Sequence, residues 1–220
     1  MFKTETHLHT AEVSRCGKLR AHQMVAAYKT AEYSTVFVSD HFQQNTLDAL
    51  GDIPWAEKIS IFLSGYYCAK CEGDRIGVTV LPAAEICFAG DVNHYLVYGL
   101  TKEILTKYEN LHTYGIERLR KIADANGLFI VQAHPHRDGH CYPRPEWVDG
   151  FEVYNSNPRH EDDSEKSLAV ARENGLLMIG GSDAHREEDV AGSGVLTEER
   201  IESAAQLIRL LKEGKCEVIR

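Results

Sequence analysis

Long apolar segments are missing from this sequence. No run approaches the roughly 18 apolar residues that a membrane-spanning helix requires, and no basic stretch followed by an apolar one opens the chain in the manner of a secretory signal. Internal repeats, low-complexity tracts and linkers are also absent. We therefore expect a cytoplasmic protein that forms one domain over residues 1–220, a length that suits a single large hydrophobic core.

Positive charge is scarce. The 24 Lys and Arg residues stand against 33 Asp and Glu residues, which gives a formal net charge of -9. A nucleic-acid partner is not expected, because polyanion binding needs clustered cations. A small anionic substrate held by bound metal is compatible with this charge.

Cysteine is present but shows no pairing pattern. The six cysteines are expected to be free thiols, because a chain of this size without a secretory signal keeps them reduced. The motif CAKC at 68–71 resembles half of a zinc site, yet no second CxxC motif completes it. We interpret it as incidental.

Short segments rich in β-branched and aromatic residues alternate with helical patterns. Strands are predicted at residues 1–6, 34–40, 77–88, 94–100, 127–134, 150–155 and 175–183. Helices are predicted at 19–33, 114–127 and 162–175, where Gly127 and Gly175 serve as stops. This alternation predicts a mostly parallel sheet covered by helices, and seven units favour a closed or nearly closed barrel.

Two further segments complete the prediction. A helix over 197–214, capped by Thr197, precedes a short C-terminal strand. Residues 42–76 predict a long helical insertion over the barrel mouth, in which Trp55, Tyr66 and Tyr67 either shape the pocket or pack in the core.

Histidines and carboxylates concentrate where the predicted strands end. In parallel barrels the loops that follow the strands build a common mouth, so these side chains are expected to meet there. His7 and His9 lie two apart on the first strand and therefore share a face. The other residues at strand ends are Asp40, His41, Glu85, His134, His136, Asp183 and His185, and His94 opens the strand that follows Glu85.

Such a cluster indicates a metal site, because mutual repulsion and desolvation would make it unfavourable when empty. Imidazole and carboxylate ligands without thiolate suit Zn, Mn or Fe, and the number of candidate ligands indicates two or three ions. Ions a few ångströms apart lower the pKa of a bridging water and hold the oxygens of an in-line displacement. The pattern is typical of a hydrolase.

The ordered motifs HLH, SDH, AAE, NHYLVYG, AHPH, FEVYN and GGSDAH resemble those of the polymerase and histidinol phosphatase (PHP) superfamily. The resemblance spans residues 1 to about 190. It implies an α/β fold, a distorted (β/α)7 TIM-like barrel, and hydrolysis of phosphoesters by attack of a metal-bridging hydroxide.

The resemblance also implies a ligand set. His7, His9, Glu85 and Asp183 would hold the first ion, and Glu85 would bridge to a second ion held by His94 and His134. A third ion would take His41 and His185. The family usually supplies a further His or Asp shortly after its HxH pair, and here Glu12 would substitute, with Ser14 the weaker alternative.

Several neighbours of these ligands have expected roles. Asp40 would orient a ligand histidine, and Glu85, Asp183 and His136 are the predicted catalytic residues. His136 would contact the substrate or support a ligand. Phosphate recognition needs further cations, and the predicted substrate-binding residues in the mouth loops are Arg137, Arg159 and His160.

The first functional hypothesis is a metal-dependent phosphoesterase that acts on a small phosphorylated metabolite or nucleotide. Three alternatives stay open: a histidinol-phosphate phosphatase, another metal-dependent hydrolase of amidohydrolase type, and a non-catalytic module that binds metal or ligand. The sequence identifies neither the substrate, the ester type, the metal nor the oligomeric state.

Overall fold

Seven strands form the wall of a barrel, in the order in which they follow one another along the chain. The computed structural model describes all 220 residues. The strands are β1 (Phe2–Leu8), β2 (Tyr33–Val38), β3 (His41–Phe42), β4 (Thr79–Cys87), β5 (His94–Tyr98), β6 (Phe129–Ala133), β7 (Gly150–Asn155), β8 (Leu177–Gly181), β9 (Gly194–Thr197) and β10 (Glu217–Ile219). The helices are α1 (Ala21–Thr30), α2 (Gln44–Asp48), α3 (Trp55–Phe62), α4 (Ser64–Ile76), α5 (Lys102–Lys107), α6 (Ile116–Asn126), α7 (Ser164–Glu173) and α8 (Ala204–Lys212).

The barrel wall has the order β1-β2-β4-β5-β6-β7-β8. The two end strands meet through a single bridge between Leu8 and Ala184. The N–H of His9 donates to the carbonyl of Ala184 at 2.9 Å, and Oγ1 of Thr6 donates to the carbonyl of Gly180 at 2.6 Å. The predicted nearly closed, TIM-like α/β barrel is confirmed.

One strand of the wall runs against the others. β5 is antiparallel to both β4 and β6, and Cys87 at the end of β4 pairs with His94 at the start of β5. The start of β5 therefore lies at the mouth, where the parallel strands end. This reversal brings His94 to the same end of the barrel as Glu85.

The hairpin β9–β10 extends the sheet beyond β1. β9 pairs antiparallel with β1, and its last residue, Thr197, lies opposite Phe2. The prediction that Thr197 caps the last helix is therefore wrong, because this residue ends a strand. α8 begins seven residues later, and its cap is Ser203, whose Oγ accepts the N–H of Gln206 at 3.1 Å.

The insertion at 41–76 folds as the short strand β3 and helices α2, α3 and α4. Trp55 packs against the largest hydrophobic cluster and donates its indole N–H to the carbonyl of Leu105 at 2.9 Å. Tyr66 packs against a hydrophobic cluster that includes Met24 and Tyr28 of α1, and Tyr67 is half exposed. None of the three aromatics lines the cavity at the barrel mouth, so the packing role is observed for Trp55 and Tyr66, while Tyr67 lies at the surface.

All six cysteines are free thiols, and Cys68 and Cys71 of the CAKC motif are exposed on α4. None of the helices combines the length and the apolar character that crossing a membrane requires.

Candidate metal centre

Eight side chains that can ligate metal converge at the mouth of the barrel. Their ligand atoms form three overlapping groups, within each of which the atoms lie no more than 4.8 Å apart. The groups are His7–His9–Glu85, His9–His41–His185 and His41–Glu85–His94. His134 and Asp183 complete the set through contacts with Glu85 and His9.

Glu85 lies at the centre of this set and is 1% exposed. Its Oε1 lies 2.8 Å from Nδ1 of His94 and 3.2 Å from Nε2 of His134. Its Oε2 lies 2.6 Å from Nδ1 of His41 and 3.5 Å from Nε2 of His9. The two carboxylate oxygens thus face two different groups of imidazoles.

Glu152 in the middle of β7 fixes the ring of His7. Oε1 of Glu152 lies 2.9 Å from Nδ1 of His7, and because an ionised carboxylate only accepts, Nδ1 carries a proton. Nε2 of His7 therefore faces the cluster, where it can present a lone pair to a metal ion. The other oxygen of Glu152 accepts the backbone N–H of His134 and the side-chain N–H of Asn155, both at 2.9 Å.

Asp40 reaches His9 through an intermediate hydroxyl. Its Oδ1 accepts the N–H of Thr10 and the hydroxyl of Ser14, both at 2.7 Å. Oγ of Ser14 lies 3.3 Å from Nδ1 of His9 and accepts the N–H of His41 at 3.1 Å. Because the hydroxyl proton of Ser14 goes to Asp40, Nδ1 of His9 is the donor, and Nε2 of His9 faces the cluster with its lone pair.

These proton positions show that a cation fits the site. Nε2 of His7 and Nε2 of His9 are 3.1 Å apart, and Nε2 of His9 is 3.1 Å from Oδ1 of Asp183. Lone pairs at such distances repel unless a positive charge, either a metal ion or a proton on one of the rings, lies between them. Moreover, buried Oε2 of Glu85, Nδ1 of His41 and Nδ1 of His134 have no directed hydrogen-bond partner, and unsatisfied buried groups of this kind call for an ion or a water.

The ionisation of the cluster follows from its burial and its carboxylates. Burial lowers the pKa of His7, but Asp183, Glu152 and Glu85 outweigh it and raise that pKa well above its ordinary value. Burial, with the positive charge of Arg137, lowers the pKa of His134 to about 4. His134 is therefore neutral near pH 7, the form that ligates metal.

Arg137 is tied to the cluster. Burial opposes the ionisation of Asp183, but His7 and the guanidinium of Arg137 hold its pKa well below the ordinary range. Nη2 of Arg137 donates to Oδ2 of Asp183 at 2.6 Å and to Oδ1 of Asn155 at 2.8 Å. Asn157, which the sequence reasoning missed, donates to the backbone carbonyl of Asp183 at 3.1 Å.

The backbone at two cluster residues adopts an unusual conformation. His134 has a φ of 31° and Asp183 a φ of 49°, in the left-handed region that non-glycine residues rarely occupy. Strained backbone of this kind concentrates at functional sites, where surrounding contacts hold it in place. The N–H of His134, which donates to Glu152, and the carbonyl of Asp183, which accepts from Asn157, make such contacts.

A cavity of about 320 Å³ opens onto the cluster. It is lined by Cys16, His41, Val92, His94, His134, Arg137, Cys141, His160, Asp183 and His185. Two of the three predicted substrate-binding residues, Arg137 and His160, therefore face it. His160 also contacts Asp138, with its Nδ1 2.7 Å from Oδ2.

Three residues predicted for the site are not brought into it. Oε2 of Glu12 accepts the N–H of Ala21 at 2.9 Å, at the start of α1. The ring of His136 turns toward α7, with Nδ1 3.0 Å from Oγ of Ser167, and lines a separate acidic cavity. Arg159 donates both terminal nitrogens to Asp189, each at 2.6 Å.

Cys16 is a mouth residue that the sequence reasoning did not include, and its side chain lines the cavity together with His185 and His41. Burial raises the pKa of this thiol, but the imidazoles of His185 and His41 outweigh it and lower the pKa to about 6. The proximity of Cys16 to the HLH motif in sequence was the available signal.

The C-terminal quarter of the chain carries a family match. Residues 162–216 match the PHP-associated family. A two-domain protein from Bacteroides vulgatus, containing a predicted PHP-like metal-dependent phosphoesterase, has the same fold with a TM-score of 0.71 and 14% identity. The fold implied by the resemblance to the PHP superfamily is confirmed. The alignment covers 99% of this chain and 64% of that protein, so the chain spans less than two thirds of its length.

Two other structures share the fold of this chain. PsfC from Pseudomonas syringae has a TM-score of 0.66 at 20% identity, with 94% of this chain and 87% of PsfC covered. A lesion-specific endonuclease from Pyrococcus furiosus has a TM-score of 0.63 at 12% identity, with 99% of this chain and 57% of the endonuclease covered. No curated protein sequence matches the chain significantly.

Proposed function

We propose that this protein is a metal-dependent phosphoesterase that hydrolyses a small phosphorylated metabolite or nucleotide. The observation that carries the proposal is the position of Glu85, whose two oxygens face different imidazole groups within one buried cluster. A carboxylate so placed can bridge two ions, and such a pair suits phosphoester hydrolysis.

The chain offers ligands for two or three divalent ions. His7, His9, Glu85 and Asp183 would hold the first ion. Glu85, His94 and His134 would hold the second, and His41 and His185 the third. Imidazole with carboxylate suits Zn, Mn or Fe. When bound, the ions would activate a water as nucleophile and neutralise the charge that develops on the phosphoryl oxygens.

The remaining residues of the mouth would orient the ligands and the substrate. Glu152 and Ser14 hold the protons on Nδ1 of His7 and His9, so that both Nε2 atoms face inward. Arg137 fixes Asp183 and supplies a buried positive charge beside the cavity. With His160 on the neighbouring loop, Arg137 would receive the phosphoryl group, whereas the guanidinium of Arg159 is already held by Asp189.

The test combines metal content with activity. We expect gently purified protein to contain two or more divalent ions per chain and to hydrolyse an aryl phosphate, with activity lost after chelation and restored by Zn or Mn. Glu85→Gln should lose both the ions and the turnover, while Glu103→Gln at the exposed start of α5 should keep them.

Two outcomes would contradict the proposal. Retained turnover in metal-free Glu85→Gln would show that the cluster takes no part in the reaction. Bound ions without turnover on mono- and diesters, combined with hydrolysis of amides, would place the chain among other metal-dependent hydrolases. Binding of such compounds without any turnover would favour a non-catalytic module.

A further inference from the structure

We propose that Cys16 provides a thiolate ligand to the ion bound by His41 and His185, so that this position of the centre is a mixed imidazole and thiolate site. The inference rests on the proposed function, because it concerns the same metal centre. It departs from the sequence-based expectation, in which Glu12 or Ser14 completes the ligands of this ion.

The loop after β1 holds Cys16 in a fixed position. The N–H of Gly17 donates to the carbonyl of Ser14 at 2.8 Å, which closes a tight turn with Cys16 at its third position. A Cβ at residue 17 would lie 3.0 Å from the carbonyl oxygens of Ser14 and Thr10, so the turn is closely packed. The N–H of Lys18 donates to the carbonyl of His185 at 2.7 Å, which ties the loop to its partner.

The side chains around the thiol converge as ligands do. Cys16 lines the mouth cavity together with His41 and His185, and its thiol interacts electrostatically with both imidazoles. The ring of His9 stacks against both of these rings, with centroid separations of 4.2 Å to each. The ligand atoms of the three histidines lie within 4.8 Å of one another. Cys16 thus lies beside two imidazoles of a three-imidazole group.

An independent observation points to an ion in the same place. Oε2 of Glu85 belongs to a side chain that is 1% exposed, and it has no directed hydrogen-bond partner. It lies 2.6 Å from Nδ1 of His41, which is also without a directed partner. A bound cation would satisfy both of these buried atoms, which face each other.

The rival ligands are already engaged. The carboxylate of Glu12 accepts the first free N–H of α1 from Ala21. The hydroxyl of Ser14 donates to Asp40 and accepts the N–H of His41. Cys16 is exposed to the cavity and has no carboxylate or backbone partner that competes with a metal ion.

A thiolate changes which metal the site prefers. Sulfur ligands favour Zn over the harder Mn and Mg, for which carboxylate and water are better ligands. The third position should therefore retain Zn under conditions in which the other positions exchange it for Mn. This selectivity follows from Cys16 alone, because the other ligands of the centre are imidazoles and carboxylates.

The test uses Co(II) as a spectroscopic probe of the full-length protein. Titration of metal-free protein with Co(II) should produce a thiolate-to-cobalt charge-transfer band in the near ultraviolet. Cys16→Ser should lack this band and bind one ion fewer per chain. Cys16→Asp should recover the ion without the band, which separates loss of a ligand from loss of the fold.

Two cysteines serve as matched controls. Cys141 lines the same cavity, where its thiol lies 3.4 Å from the carbonyl of Val92, and Cys87 lies at the end of β4, beside His94. Cys141→Ser and Cys87→Ser should each retain the full band.

The outcomes for the ligand and for the function are distinct. Either of two results would overturn the proposed thiolate ligand and leave the phosphoesterase proposal intact. The first is an unchanged charge-transfer band in Cys16→Ser. The second is the absence of this band in wild type together with the loss of one ion in Glu12→Gln. Failure of wild type to bind Co(II) or Zn at all would overturn both. If Cys16→Ser lacks both the band and one ion while wild type does not hydrolyse aryl phosphate, Cys16 is supported as a ligand and the phosphoesterase proposal is contradicted.

Discussion

A carboxylate outside the ligand set, that of Glu152, determines which nitrogen of His7 faces the metal centre. Glu152 accepts from Nδ1 of His7 and from the N–H of His134. We predict that Glu152→Gln weakens metal binding by about 10- to 100-fold, the range typical of partners that orient metal-ligating histidines. Competition with a fluorescent chelator measures the change. Affinity equal to that of wild type would show that His7 keeps its orientation without a charged partner.

Arg137 differs from a simple positive charge because it joins two partners. Its Nη2 contacts both Asp183 and Asn155, a geometry that an ammonium group does not reproduce. We predict that Arg137→Lys lowers kcat by about 10-fold or more while metal content stays close to wild type, since hydrogen bonds to charged groups contribute roughly 1.5–3 kcal/mol. Steady-state kinetics with elemental analysis tests this. Arg75→Lys on exposed α4 is the matched control, and a loss of ions in Arg137→Lys would instead show a role in metal binding.

The cluster residues were predictable because two simple periodicities place them. Alternation on β1 sets His7 beside His9, and the ends of parallel strands bring Glu85, His134 and Asp183 to one edge. The positions of Glu12, His136 and Cys16 were not predictable in the same way. Each depends on a turn or a ring rotation that is decided by a distant partner: Ala21 for Glu12, Ser167 for His136, and His41 with His185 for Cys16.

Helix α4 approaches the loop after β1 at a glycine. A Cβ on Gly65 would overlap Oγ1 of Thr10 and lie 2.6 Å from Oδ2 of Asp40. We predict that Gly65→Ala destabilises the fold by about 1–3 kcal/mol, the usual effect of overpacking, and disturbs the hydrogen bonds of Asp40 that fix Ser14. Urea denaturation measures the loss. Cys68→Ala, on the exposed face of the same helix, should unfold like wild type, and an equally stable Gly65→Ala would show that α4 can shift away.

The short helical turn at 111–113 places a histidine among aromatics. Burial lowers the pKa of His112 below its ordinary value of 6.5, while Asp48 raises it and Lys58 lowers it. Below about pH 6.5 the unfolded chain therefore binds a proton that the folded chain binds less readily, and stability falls as the pH decreases. His112→Phe should lose about 1 kcal/mol at pH 7 through the missing hydrogen bond to Gln44.

The same substitution should flatten the decrease in stability between pH 6.5 and pH 5. Denaturation midpoints of metal-free wild type and His112→Phe, measured across this interval, give the comparison. Because the other histidines are common to both proteins, parallel pH profiles would show that His112 does not contribute.

At the level of elements, the seven wall strands and the main helices follow from the hydrophobic pattern. The reversal of β5 was not predicted, although a signal for it exists. Only six residues separate Cys87 from His94, and parallel strands need a crossover of about a dozen or more. β3 and β9 were missed because strands of two and four residues are too short to show a periodic pattern. These strands form because they pair with β4 and β1, which are distant in sequence.

In the whole molecule, the metal centre coincides with the seam of the barrel. The end of β1 meets the segment that follows β8 through a single bridge, Leu8 with Ala184, in place of a continuous ladder between the two strands. His7 and His9 come from one side of this seam, and Asp183 and His185 from the other. Ions that bind all four residues would therefore connect the two edges of the sheet and stabilise the closed barrel.

Thermal unfolding with and without metal tests this connection. A ligand that binds only the folded chain stabilises it by about 2.7 kcal/mol at a hundredfold excess over Kd, and at this chain length that corresponds to a rise in Tm of roughly 5–11 °C. We predict a rise of this size when Zn is restored to chelated wild type, and a markedly smaller one for Asp183→Asn, which removes a charged ligand from the β8 side. A rise in Asp183→Asn equal to that of wild type would show that the ions stabilise one edge alone, because stabilisation across the seam needs ligands from both strands.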